Sequence, residues 1–262
     1  MITFINYTRV CAVFVSYLHL LLKAALILAV LLALKLGVDY LNLDVIPTGP
    51  IVTAFVAGVI FTIAIIYTGT LTDYKESERI PGELSASIKA LYKDNRVIGT
   101  MSNNEKIVDD AEAHIKELLA VIISNFKRNV WKLREINTAV DKIDDDIRIL
   151  AHDGNIAPPL IVKLRNELSN VDRISYRIDS IMETTFIPAA YIITQIAIGM
   201  VILMLLFVEM DPYYVGVILF GTVSFLLISL LLLIKDMDNP FGGTVHVDLS
   251  PLYKLEEYLK SK

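Results

Sequence analysis

The sequence has a single cysteine, Cys11, among 262 residues. No disulfide can form within the chain, and zinc-ribbon and CxxC redox chemistry are excluded with it. Its four histidines, His19, His114, His152 and His246, lie far apart and make neither an HExxH pair nor a His/Cys cluster. There is no surplus of basic charge: the formal net charge is −5 and the pI about 5.4, so no basic face is available for nucleic acid. No Walker loop, GxGxxG or DxDxDG motif occurs, and no Ser, His and Asp fall at a spacing that suggests a triad. Internal repeats and low-complexity stretches are missing too. No catalytic residue, metal site or cofactor is expected, and the chain does not read as an enzyme.

What the chain has in abundance is apolar sequence. Hydrophobic residues make up 55% and mean hydropathy is +0.57, against 20% charged residues gathered in particular stretches. A water-soluble domain of this size needs more polar surface. Four runs reach the ~20 apolar residues needed to cross a hydrocarbon core as a helix: 10–36, 50–70, 187–208 and 213–234. They are continuous rather than alternating, which excludes the strands of a membrane barrel. The first is too long for a signal-peptide core and lacks a small-x-small cleavage site, so it is expected to remain as a membrane helix. Lys23 inside it reads as reaching the interface along its own aliphatic stem.

Lysine and arginine sort to one side. Loops 37–49 and 209–214 carry none, whereas 73–185 and the tail beyond 234 are rich in them. That asymmetry predicts a multi-pass cell-membrane protein with both termini and the middle segment in the cytoplasm. The expected fold is all-α: residues 1–72 supply two transmembrane helices, 73–185 a cytoplasmic helical region, 186–235 two more transmembrane helices and 236–262 a cytoplasmic tail, all as one structural unit. Within the middle segment, Pro81-Gly82 predicts a break in a helix continuing from the second span. Residues 103–151 read as one long helix capped by Ser102 or Asn103. Ile107, Leu118, Ile122, Trp131, Ile136, Val140, Ile143 and Ile147 recur there near helical spacing. Gly154 and Pro158-Pro159 stop it, and 160–186 forms the return arm of a helical hairpin.

In the second span, Ile51, Phe55 and Val59 fall at i, i+4 and i+8 on one helical face. Copies of this helix around an axis would stack those side chains as apolar rings, an arrangement that gates pores by dewetting. From periodicity alone, packing against lipid or a neighbouring helix explains the spacing better. Ala54 and Gly58 form an adjacent stripe of small residues suited to close helix packing. Pro47, Gly49 and Pro50 open the helix, whose first amides would suit an anion or simply water. After the last span, Asp236 and Asp238 could attract a cation or merely be solvated, and Asn239-Pro240 ends the helix by backbone chemistry.

Four segments in order resemble the bestrophin ion channels, and more closely their short prokaryotic relatives. YTRVCAVFVSYLHLLLKAAL resembles the family's opening, in which a Tyr-Thr start leads to a Leu-Leu-x-(Arg/Lys) run. IVTAFVAGVIFTIAI is similar to the family's pore helix, an apolar residue followed by Phe-Val-x-Gly-Phe. TDYKESERIPGEL resembles the helix after the pore, and DNPFGG the family's Asn-Pro-Phe-Gly after the last span. The resemblance covers most of the first 90 residues and about 236–243. It implies a homopentamer in the lipid bilayer around an axial pore, passively conducting small inorganic ions, either anions such as chloride or monovalent cations. Carried over residue by residue, the pore neck is Ile51, Phe55 and Val59, with Ala54 and Gly58 packing the pore helix. The post-span motif is Asp238, Asn239, Pro240, Phe241 and Gly242. Val59 is smaller than the family's usual aromatic, which implies a wider neck. Calcium-activated members carry an acidic cluster after Asn-Pro-Phe-Gly; here 243–249 holds only Asp248, so no calcium clasp of that type is expected. Asp144-Asp145-Asp146 is open to two readings, a vestibule favouring cations or a solvated face. The competing reading of the whole chain is a membrane-anchored helical scaffold or signalling protein that oligomerises through the long 103–151 helix.

Overall fold

The computed structural model describes residues 2–102, 104–183, 188–242 and 246–262, with side chains outside 2–17 and 188–190. Cys11 and the Tyr7-Thr8 opening therefore lie outside the described side chains, as do Asn103, Ile187 and Gly243 altogether. In chain order the elements are α1 (Ile2–Tyr40), β1 (Ile46–Pro47), α2 (Pro50–Gly99), α3 (Glu105–Lys127), α4 (Leu133–Leu150), α5 (Pro158–Glu183), α6 (Pro188–Leu206), β2 (Val208–Glu209), α7 (Tyr213–Met237) and α8 (Ser250–Lys260). The fold is all-α, and among the described residues the strand pairing is one two-residue parallel ladder, Ile46 opposite Val208 and Pro47 opposite Glu209. The helices group into two compact units, 1–74 with 185–246 and 75–184 with 247–262.

The first unit holds the apolar helices. Among the described residues, α1 from Leu18, α2 and α7 are each long and apolar enough to span a bilayer, and α6 is a further apolar helix of 19 residues. One core unites them: Val59 and Ile63 of α2, Ile198, Val201 and Leu205 of α6, and Phe220, Leu227 and Ile234 of α7. α1 packs on α7 along a helical stripe running from Leu20 and Ala24 through Leu31 and Leu32 to Lys35. Outside this core the helices expose leucine and isoleucine: Leu22, Leu26 and Leu34 on α1, Ile192 and Ile196 on α6, Ile218 and Leu219 on α7. In water such faces would drive aggregation; in acyl chains they are the ordinary surface of a membrane helix.

The second unit is amphipathic, with buried stripes at helical spacing and charged outer faces. α2 passes through Pro81-Gly82 unbroken, contrary to the break those residues predict. Proline removes one helical hydrogen bond, at about 3 kcal/mol. Ile80, Leu84, Ile88 and Leu91 are nonetheless all fully buried on one stripe, and burial of such side chains stabilises by roughly 1.5–3 kcal/mol each. Packing outweighs the lost bond.

The long helix expected over 103–151 is instead two helices, α3 and α4. Asn129 adopts φ 51°, its amide turns back to the Phe126 carbonyl, and the Val130 amide reaches the Asn125 carbonyl. Oδ1 of Asn125 then accepts from the Lys132 amide at 2.8 Å. Trp131 locks the corner: its ring lies 5.0 Å from that of Phe126 and its Nε1 donates to the Ser175 carbonyl of α5 at 3.0 Å. The hairpin expected here is thus a three-helix arrangement. Asn104, not Ser102 or Asn103, caps α3 by accepting from the Ile107 amide. The scaffold reading loses the continuous helix on which it leaned. The tail also contains α8, absent from the sequence reading. It docks Leu252, Leu255 and Leu259 and brings Tyr258 edge-on to buried Tyr92.

Candidate functional site

The membrane half of α2 carries two different faces. Its inner stripe, Val52, Val56, Val59, Ile63 and Ile66, packs into the first unit's core. Its outer face, Thr53, Ala54, Phe55, Ala57, Gly58, Thr62, Ala64 and Thr68, is exposed. Ile51 is 85% exposed and Phe55 36%, whereas Val59 is only 8% exposed. The i, i+4, i+8 spacing therefore does not keep all three residues on one open face. At 3.6 residues per turn each step of four drifts by roughly 40°, so Val59 stands about 80° round from Ile51, inside the core. Val59 packs into the chain's own core, and Ile51 and Phe55 stay on its open face. The outward continuation from Ile51 and Phe55 is Gly58, Thr62 and Ile65, all exposed.

This outer face mixes small and hydroxyl side chains with the exposed Phe61 and Ile65. A Cβ on Gly58 would meet nothing within 4 Å, so its smallness serves no contact within the chain. Hydroxyls of Thr53, Thr62, Thr68 and Thr72 donate to the carbonyls four residues back, Gly49, Gly58, Ala64 and Thr68, at 2.8–3.3 Å. Those bonds let hydroxyls sit on an apolar helix with their donors satisfied and their oxygens still able to accept.

The motif after the last span proves to be a helix stop. The Asp238 amide closes α7 on the Ile234 carbonyl, and Oδ1 of Asn239 accepts from the Gly242 amide at 3.1 Å. Pro240 and Phe241 are buried beneath this turn. Asp248 accepts from the Ser250 amide and hydroxyl at 2.9 and 2.8 Å, setting the start of α8. Among the described residues no group of three His, Cys, Asp or Glu side chains could hold a metal. The acidic run is engaged by protein groups: Asp146 is buried with one oxygen 2.6 Å from His114 Nδ1, Asp145 pairs with Arg148 at 2.7 Å and Asp144 faces Arg165 at 3.8 Å. Burial raises the Asp146 carboxyl above its usual range, with Asp110 and Asp145 adding to the rise, although the His114 contact works the other way.

One pair escaped the sequence reading. Lys35 and Asp39, near the end of α1, are 3% and 8% exposed and 2.7 Å apart. The Lys35 ammonium also donates to the carbonyls of Val208 and Leu206 at 2.9 and 3.1 Å, so α1 is fastened to the segment joining α6 and β2. The legible signal was an i, i+4 basic–acidic pair continuing the buried stripe of Leu20, Ala24 and Leu31.

Comparison with known proteins bears on this geometry as a whole. The family model of a bestrophin-like domain matches residues 47–252. Among solved structures, a point-substituted bacterial bestrophin homologue from Klebsiella pneumoniae superposes with a TM-score of 0.73 at 13% identity, covering 93% of this chain and 99% of the other. A second substituted form of that homologue gives a TM-score of 0.74 at 13% identity over 93% and 97%. A crystal structure described as that of a membrane protein gives 0.75 at 13% over 92% and 97%. No match is found among curated proteins.

Proposed function

The chain belongs to the bestrophin-like family, and from that premise we propose that five copies surround an axial pore lined by α2 and let small ions pass passively across the cell membrane. The observation that carries the reading is the outer face of α2. Along the stripe that continues from Ile51 and Phe55 it offers Gly58 and Thr62, with exposed Ala54 and Ala57 beside them. Small residues suit helices that meet copies of themselves closely, and hydroxyls suit a wall that water touches. Ile51 and Phe55 form the narrow apolar part, two rings rather than three, and Gly58 and Thr62 continue the wall beyond it. The lysine-free loops 37–49 and 209–214 face outward, and both termini and residues 75–184 lie in the cytoplasm. Chloride or monovalent cations are the permeant species.

The test is ion flux through the purified protein in liposomes, read with anion- and cation-sensitive dyes under opposed gradients. Phe55→Ala removes most of one ring. It should raise flux several-fold or change the anion-to-cation ratio, because dewetting depends steeply on the apolar radius. Unchanged flux and ratio in a conducting preparation would remove Phe55 from the neck.

A further inference from the structure

Between α1 and α7, within the first unit, lies a cleft of about 330 Å³. Its polar wall is His19 and Lys23 of α1 with Lys235 and Asn239 at the end of α7, over Leu20 and Leu232; Asp236 also lines it and has an interaction of its own. His19 and Lys23 are one helical turn apart and exposed, and Lys235 and Asn239 are exposed as well. Among the described residues no ion pair holds Lys23 or Lys235. Asn239 uses its Oδ1 on the Gly242 amide, which leaves its Nδ2 to donate into the cleft.

Helix direction explains why these groups converge. Side chains on a helix lean toward its N-terminus. The two helices are antiparallel: Leu32 of α1 lies against Gly221 of α7, 3.5 Å from where a Cβ would be, while His19 and Lys23 lie with Lys235. His19 and Lys23 therefore lean toward the membrane surface, and Lys235 leans inward to meet them. Leu22 and Leu26, exposed on α1 and three residues on from His19 and Lys23, flank those two side chains on the helix surface.

We propose that this cleft binds the phosphodiester of an anionic phospholipid, with Lys23 and Lys235 pairing the phosphate oxygens, Asn239 donating to them and the acyl chains lying on Leu22 and Leu26. That flanking pair of leucines is what favours a lipid over free phosphate. A basic pocket between membrane helices at the lysine-rich side of the bilayer meets the leaflet in which anionic headgroups are recognised. The inference rests on the embedding of α1 and α7 and not on conduction, so it is read without any current.

The experiment is native mass spectrometry of the full chain in zwitterionic detergent, titrated with phosphatidylglycerol or phosphatidylcholine of the same acyl chains. Phosphatidylglycerol should be retained in preference, and K23Q/K235Q should weaken its retention about thirtyfold, two lysines at about 1 kcal/mol each. K23R/K235R should keep it, as should the control K254Q in α8. Helical circular dichroism of each variant identifies any that fails to fold; K23R/K235R, which keeps both charges, then separates charge from fold by comparison with K23Q or K235Q alone. Equal retention of the two lipids overturns the proposal, as does undiminished phosphatidylglycerol on K23Q/K235Q. Displacement of the lipid by excess inorganic phosphate alone would make the site one for the free ion and overturn the lipid assignment.

Discussion

Burial withdraws water from the Asp146 carboxylate faster than the His114 contact compensates. The folded chain therefore holds this proton more tightly than the unfolded chain does. A carboxyl raised in this way contributes its stability fully below the ordinary value of 3.8, and that contribution is lost as pH rises through the raised folded value. Asp146→Asn removes the ionisation while keeping a polar partner for His114. Its melting temperature should exceed the parent's near neutral pH, and the gap should close toward about pH 4, followed by helical circular dichroism. A gap that stays constant with pH would assign the cost to shape rather than charge. At the same scale, Ile51 and Phe55 could be picked out from sequence as an open face, but Val59 could not be separated from them. A four-residue step looks periodic in a sequence, and its angular drift matters only once a neighbouring helix fixes which side is inside.

Elements were legible where a single physical requirement dominates. A run of twenty apolar residues has few outcomes other than a membrane helix; α1, α2 and α7 each contain their run, α2 continuing beyond it to Gly99. They were illegible where local signals compete with packing. Pro81 is the strongest helix breaker in the chain's middle and breaks nothing, because the stripe around it is buried. Asn129, in a stretch without Gly or Pro, ends α3. Its left-handed conformation is one that asparagine tolerates and that β-branched residues pay for heavily. Asn129→Gly should change stability by only a few tenths of a kcal/mol, and Asn129→Val should cost about 1–2 kcal/mol, measured by chemical unfolding. Equal effects of the two would mean that the corner is held by Trp131 and Asn125 alone. The short α8 went unseen because its three leucines acquire meaning only beside Tyr92 and the other buried residues of the second unit.

For the molecule as a whole, the proposed assembly makes a claim about mass. Purified in mild detergent, the protein component of the particle should weigh about five times 29.3 kDa by light scattering with the detergent subtracted; a particle of one or two chains would leave the outer face of α2 without the copies it is proposed to meet. The Lys35 clasp bears on this same scale through its reactivity. An acylating reagent needs an amine that is neutral and approachable. The Lys35 nitrogen is not approachable, being 3% exposed and held by Asp39 and the carbonyls of Leu206 and Val208. In a labelling time course followed by peptide mass spectrometry, exposed lysines such as Lys254 should be modified early and Lys35 only once the first unit opens. That silent amine is a built-in seal: while it stays unlabelled, the C-terminal ends of α1 and α6 are still joined.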